Sequence, residues 1–190
     1  MKLILASRSP RRVEILIDLK INFEAHAPHF VEHSNPSASP EEEAQLFARE
    51  KALSLKNEFP NSWILGCDTL VALGQEKLGK PQDPEDACRM LRQLSGRTHR
   101  VLSAITLLDA KTGEMQEVID VAKVSFRKLS EAEIQNYVAS GEPMDKAGAY
   151  AIQGGARNFL ESIEGDYYTI VGLPKEALLR LLEKTDFKSN

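Results

Sequence analysis

The sequence predicts an α/β chain, and three observations carry that reading. The compact apolar runs Leu3-Ile4-Leu5-Ala6 and Trp63 to Leu73 have the length and composition of buried strands. Helix starts are marked by a capping residue followed by proline at Ser9-Pro10, Ser39-Pro40 and Asp83-Pro84. In such a pair a side-chain oxygen can accept an unpaired N–H, and proline has no N–H to lose. After each start, apolar residues recur at helical spacing rather than alternating. A chain of 190 residues accommodates one domain, or one domain in two lobes, with a substantial core.

Taken in order, the first strand leads into a helix from Pro10 that places Val13, Leu16 and Ile17 on one face, with Leu19 near its end. A strand follows in which Ile21, Phe23, Ala25 and Ala27 alternate with Asn22, Glu24 and His26. Residues 28–39 are rich in proline, serine and asparagine, lack periodicity and form a loop that contains Glu32. A capping box of Ser39 and Glu42 opens a helix over residues 40–57, with Ala44, Phe47, Ala48, Ala52 and Leu55 on one face. The strand Trp63 to Leu73 ends in a hairpin turn at Gly74-Gln75-Glu76-Lys77. Asp83 caps a third helix, packed through Ala87, Met90, Leu91 and Leu94 and ended by Ser95-Gly96. Strands over 100–108 and 117–126 are separated by the turn Asp109 to Gly113, and Ser130 with Glu133 opens a helix that uses Ile134, Tyr137 and Val138 before Gly141. A last helix after Val171-Gly172-Leu173-Pro174 is packed through Leu178, Leu179, Leu181 and Leu182.

Composition narrows the function classes. With 42% hydrophobic residues, 27% charged residues and a net charge of −4, the chain lacks the long-range attraction that general nucleic-acid or anionic-membrane binding requires. Cys67 and Cys88 make neither a CxxC pair nor a disulfide framework, which fits a reducing, cytoplasmic setting. The N-terminal apolar run of Leu3 to Ala6 is far short of a signal-peptide core, and no run approaches the roughly 18 to 20 apolar residues of a membrane span.

Several residues stand out against this scaffold. Arg11 and Arg12 fall in a first helical turn, where the positive end of the helix dipole disfavours cations. Together with the hydroxyls of Ser7 and Ser9 and the unpaired N–H groups of the helix start, they describe a site for a polyanion, most simply a phosphate chain. A capped surface helix with solvated arginines is the plainer alternative. Lys51 sits in the middle of an apolar stripe and is either a snorkelling lysine or a cation aimed at an anion. Asp68 interrupts the most apolar strand. An unpaired buried carboxylate costs several kcal/mol, so it should meet a metal, a cation or a catalytic water, the plainer alternative being a structural acid paired to Lys51 or an arginine. Lys80 lies on a loop near that strand's end. The small-residue stretch from Pro143 to Gly155 lets backbone approach a ligand, and its Gln153 offers both a donor and an acceptor, as base recognition requires. Asp145 and Lys146 in that stretch have the option of pairing with each other. His26, His29 and His33 lack the cysteines or fixed helical face of a metal site. Neither a P-loop nor a dinucleotide motif is present.

Ser7-Arg8-Ser9-Pro10-Arg11-Arg12, Ala48-Arg49-Glu50-Lys51-Ala52, Gly66-Cys67-Asp68-Thr69, Gly79-Lys80-Pro81, Leu94-Ser95-Gly96 and the stretch Asp145 to Gly154 occur in the order and spacing of the Maf-like nucleotide pyrophosphatases, which the chain resembles over its whole length. The resemblance implies a single domain over residues 1–190, an elongated two-lobed α/β structure with a mixed sheet, flanking helices and a central cleft, similar to the inosine triphosphate pyrophosphatases. It also implies hydrolysis of a nucleoside triphosphate to the monophosphate and pyrophosphate with a divalent cation, Mg²⁺ or Mn²⁺, and a homodimer. Thr69 and Gln153 match the branch acting on dTTP and UTP, with CTP or modified pyrimidine nucleotides as further substrates. By the same resemblance Asp68 is the proton acceptor, Arg12, Thr69 and Gln153 are specificity positions, and Glu32, Lys51 and Lys80 are further polar positions of the cleft. Glu32 and Asp68 would hold the metal, while Ser7, Ser9, Arg11, Asp145 and Lys146 would join in binding substrate. Arg8 and Cys67 depart from the family's usual residues. The rival expectation is a nucleotide-binding regulator of cell division or septum formation with little turnover. A sugar-phosphate enzyme, releasing orthophosphate, is a third.

Overall fold

Leu3, Ile4, Leu5 and Ala6 are wholly buried because β1 (Lys2–Ala6) lies between two parallel neighbours, β2 (Phe23–His26) and β3 (Ser62–Leu73). In the computed structural model, which describes residues 1–185 and 187, the sheet continues through β5 (Thr98–Asp109), β6 (Met115–Phe126) and β7 (Leu160–Glu164) in the order β2-β1-β3-β5-β6-β7, with β4 (Glu76–Leu78) paired to β3. The β3–β4 and β6–β7 pairs are antiparallel, so the seven-stranded sheet is mixed. Among the described residues six α-helices accompany it: α1 (Pro10–Asp18), α2 (Pro40–Leu53), α3 (Pro84–Leu94), α4 (Glu131–Ala139), α5 (Tyr167–Val171) and α6 (Lys175–Leu182). The mixed α/β class expected from the sequence is the one observed. Among the described residues, no helix is long and apolar enough to cross a membrane.

The chain divides into two compact units. One comprises residues up to Asp68, Ser103–Asp120 and the chain from Gly172 on; the other comprises Thr69–Leu102 and Val121–Val171. In the first, Ile4, Ala6, Ala52, Leu55, Ile64, Leu108 and Ala110 form a core cluster with Leu53 and Phe59 packed against it. Helix α2 lies directly on the backbone of β3. A Cβ at Gly66 would come within 2.0 Å of the Ala48 carbonyl oxygen and 2.9 Å of the Ala52 nitrogen. Only a residue without a side chain permits that approach. Residues two apart on a strand share a face, so Ile64, Gly66 and Asp68 all point toward α2.

In the second unit, Gly74 adopts a positive φ of 63° at the tight β3–β4 turn, as glycine readily does. Its core holds an aromatic group in which His99, Phe126, Tyr150, Phe159 and Tyr137 meet edge to face. Burial drives the His99 imidazole down to about 4, so the ring is neutral at physiological pH, and it shares a 2.8 Å hydrogen bond with the Tyr150 hydroxyl.

Several local expectations shift. Both capping boxes form as read, at Ser39 with Glu42 and at Ser130 with Glu133. Ser9 holds the N-cap position of α1, but its hydroxyl makes no capping bond. The buried stripe of α1 is Arg12, Ile15 and Leu16, with Ile17 60% exposed. Two overlapping helical stripes fit that sequence, and the buried guanidinium of Arg12 selects the one that contains it. Helix α2 stops at Leu53, short of 57, because the Ser54 hydroxyl donates to the Lys51 carbonyl at 2.8 Å and the chain turns. Glu76 and Lys77 belong to β4 rather than to the hairpin turn, β5 is longer than expected at both ends, and β6 begins earlier than expected, at Met115. Strand β7 and helix α5 were not anticipated; β7 is mostly exposed and carries no clean apolar alternation.

Gly66→Ala should cost about 3 kcal/mol or more, since the clash is with backbone atoms that no rotamer change can relieve. Denaturant unfolding checks this, and a loss under about 1 kcal/mol would show that α2 can move away from β3.

Candidate functional site

The first unit gathers Ser7, Ser9, Arg11, Arg12, Glu32, Lys51 and Asp68. At the end of β1 the Ser7 hydroxyl oxygen accepts from the Ser9 N–H and from the Arg12 guanidinium, both at 3.1 Å. Arg12 is 9% exposed and also donates to the backbone carbonyls of Cys67 at 3.0 Å and Gly172 at 2.9 Å. Its guanidinium therefore ties the start of α1 to β3 one residue before Asp68. Arg8 is exposed and Arg11 half-buried.

Beside this latch lies the charged centre. The Lys51 ammonium, on the stripe of α2 that rests over Gly66, donates to Asp68 Oδ1 at 2.6 Å and meets Glu32 Oε1 at 2.7 Å. The Lys51 and Asp68 side chains are each 9% exposed, whereas that of Glu32 is 44% exposed. Burial pushes the Asp68 carboxyl above its ordinary value of 3.8. The positive charges of Lys51 and Arg12 oppose that push, and the negative charge of Glu32 adds to it. The result is a buried carboxylate whose proton affinity is enhanced yet whose charged form has a cation in contact, the condition a proton acceptor needs. The neighbouring Cys67 thiol is pushed up to about 11 by burial, which leaves it without thiolate character.

Glu32 comes from a segment with no regular structure, and the residue that holds this segment was not singled out from sequence. Glu43, 3% exposed, accepts the Ser34 hydroxyl through both carboxylate oxygens at 2.9 and 3.0 Å and the Asn35 N–H at 2.8 Å. The Phe30 and Phe47 rings, 5.5 Å apart, add an apolar anchor. A signal was present: Glu43, Phe47 and Lys51 are spaced by four, so Glu43 begins the stripe on which Lys51 sits.

The second unit carries Thr69, Lys80, Asp145, Lys146 and Gln153. Thr69 follows Asp68 on β3 and is half-buried, while Lys80 and Gln153 are exposed. The Gly148 N–H donates to the Gly79 carbonyl at 3.0 Å, which joins the Lys80 loop to the stretch containing Asp145 and Lys146. Gly148 has a φ of +66° and faces Val71, where a Cβ would lie 2.9 Å from Cγ1. Asp145 and Lys146 form an ion pair, the pairing their adjacency left open.

Among the described residues, no three His, Cys, Asp or Glu side chains are grouped to hold a metal ion. His29 instead bonds Glu58 at 2.6 Å, and the His26 ring packs 4.4 Å from that of Phe59. The two carboxylates that could hold a cation, Glu32 and Asp68, both meet the Lys51 ammonium, whose contacts a bound dication would share or displace. Two carboxylates match the sparse protein ligation of Mg²⁺ at sites where substrate phosphates supply further oxygens.

Comparison with known proteins identifies the family. A family model described as "Maf-like protein" matches residues 2–185. The chain is 43% identical over 189 residues to a dTTP/UTP pyrophosphatase of Bacillus velezensis, covering 99% of this chain and 98% of that protein. It is 45% identical over 184 residues to a dTTP/UTP pyrophosphatase of Aquifex aeolicus, covering 97% and 95%. A Geobacillus protein of the same name is 43% identical over 183 residues, covering 96% and 97%. A match of this extent, over a chain whose apolar central strand carries a lysine-held aspartate, leaves one conclusion: the chain belongs to the Maf-like family.

Proposed function

We infer that this chain is a nucleoside triphosphate pyrophosphatase that hydrolyses dTTP and UTP to the monophosphate and pyrophosphate. The observation that carries the reading is Asp68, a carboxylate buried in the apolar strand β3, in contact with Lys51 and raised in proton affinity, within a chain aligned nearly end to end with dTTP/UTP pyrophosphatases.

In the proposed mechanism Asp68 accepts the proton of a water that attacks the α-phosphoryl group, with pyrophosphate leaving. Lys51 keeps Asp68 ionised until that step and contributes positive charge to the phosphate chain. Arg12 adds charge and fixes Ser7, so that Ser7, Ser9 and Arg11 present donors at the start of α1. Lys80 and Lys146, the latter steadied by Asp145, supply further cationic donors for the phosphates. Thr69 and Gln153 read the pyrimidine edge, where a wrong base would leave buried polar groups unpaired. Glu32 and Asp68 would hold a divalent cation, Mg²⁺ or Mn²⁺, which when bound supplies charge neutralisation and polarisation of the phosphoryl oxygens. The substrate is free nucleotide, and the two cysteines, both free thiols, are consistent with a reducing cytoplasm.

A panel of nucleoside triphosphates with Mg²⁺, including dTTP, UTP, CTP and modified pyrimidine nucleotides, should give pyrophosphate chiefly from dTTP and UTP. Asp68→Asn should lower kcat by roughly 10²- to 10⁴-fold, the usual contribution of a positioned proton acceptor. Turnover no greater than that of the variant would leave a nucleotide-binding regulator, and orthophosphate release would point to a different phosphatase chemistry.

In the metal-free protein the Asp68 carboxyl should titrate above the pH at which an exposed aspartate does, because burial raises it, as read by NMR of the side-chain carboxyl. Removing the cation in Lys51→Gln should move that titration to still higher pH, and a titration unmoved or moved downward would show that Lys51 does not hold the charge of Asp68. Chelation should abolish turnover, with Mg²⁺ or Mn²⁺ restoring it. Glu32→Gln should raise the metal concentration needed for half-maximal rate; an unchanged requirement would remove Glu32 from the ligand set.

A further inference from the structure

In the second unit a carboxylate and the phenol bonded to it grip the two ends of the segment that carries Gln153. Glu142 accepts the Tyr137 hydroxyl through Oε1 at 2.9 Å and the Gly155 N–H through Oε2 at 3.1 Å. The same Tyr137 oxygen accepts the Ala151 N–H at 3.0 Å, so its donor and acceptor capacities are both in use. Ala151 and Gly155 are thereby fixed to a common anchor, and the Gly154 N–H closes the turn onto the Ala151 carbonyl at 3.1 Å. The anchor itself is rigid. Tyr137 is 7% exposed and meets the Phe159 ring edge-on at 5.1 Å.

The paired glycines are explained by this grip. A Cβ at Gly154 would fall 1.9 Å from Glu142 Oε1, and one at Gly155 would crowd the Tyr137 ring at 3.1 Å. Ala151 and Ile152 are buried, at 6% and 5% exposure, while Gln153 between the tethered points is exposed. A side chain that discriminates by hydrogen bonds must be held to within about 0.5 Å, and here the backbone on both sides of it is held.

We propose that Tyr137 and Glu142 are positioning residues for pyrimidine recognition, setting Gln153 through a phenol–carboxylate clamp on Ala151 and Gly155 without touching the nucleotide. This rests on the reading of Gln153 as a base-recognising residue. The proposal extends the specificity apparatus to two residues on α4 and the turn after it, neither of which offers a group to the phosphates.

Steady-state kinetics on dTTP and on abasic deoxyribose triphosphate, which has the phosphates but no base, tests the clamp. Tyr137→Phe retains the ring and deletes both hydrogen bonds of the hydroxyl. It should lower kcat/KM for dTTP about tenfold, mostly through KM, while the value for the abasic substrate stays within about twofold. Glu142→Gln, which cannot accept from both partners, should do the same, and Glu142→Asp should recover part of the loss. In a Gln153→Ala background, Tyr137→Phe should have little further effect on dTTP, because the group it positions is gone. An equal fall for both substrates, or an additive loss in the double variant, would make the clamp merely structural and overturn the proposal. If Gln153→Ala alone leaves the dTTP-to-abasic ratio unchanged, the base-reading role fails and the proposal falls with it. If Gln153→Ala lowers the ratio and Tyr137→Phe does not, the clamp alone is refuted.

Discussion

The contact between Lys51 and Asp68 is the constraint from which the rest of the charged centre follows. A carboxylate in an apolar strand is tolerable only with its charge answered at contact distance, and the answering ammonium can arrive only if a helix lies against the strand. Gly66 makes that approach possible, one residue pair before Asp68 on the same face of β3. Ala48 and Ala52 bring the helix down onto it, and Lys51, beside Ala52, is then delivered to the carboxylate. Remove any of these small residues and the ion pair loses its geometry before it loses its chemistry.

Around that pair the charges oppose one another. Burial and the Glu32 charge favour a protonated Asp68, while Lys51 and Arg12 favour an ionised one. Arg12, with its N–H groups engaged by Ser7, Cys67 and Gly172, acts as a fixed positive charge. With Asp68 ionised the two cations and the two carboxylates cancel, a balance that a plain apolar strand could not provide.

A second theme is the use of carboxylates to order irregular chain. Glu43 fixes the residues just after Glu32, and Glu142 together with the Tyr137 hydroxyl fixes the two ends of the Gln153 segment. In each case the acid accepts a backbone N–H and a hydroxyl, satisfying groups that no strand or helix partner would meet. Irregular segments are held here by polar bonds from helix or turn residues, where apolar burial alone would leave the backbone donors unpaired.

Local sequence determined the helix starts, the capping boxes, the central apolar strands and the residues that did not suit their surroundings: Arg12 in a first turn, Lys51 in an apolar stripe, Asp68 in an apolar strand. These were legible because capping, periodicity and the misfit of a charge depend on residues within a few positions of one another. The tertiary structure decided that Lys51 answers Asp68 from 17 residues away, that Arg12 latches onto carbonyls as distant as Gly172, and that Ile15 rather than Ile17 faces inward. It also decided the tasks of Glu43 and Glu142, which in sequence look like ordinary surface acids. Hydrogen bonds between remote residues, and the choice between two helical faces of similar hydrophobicity, depend on what packs against them, and no local pattern encodes that.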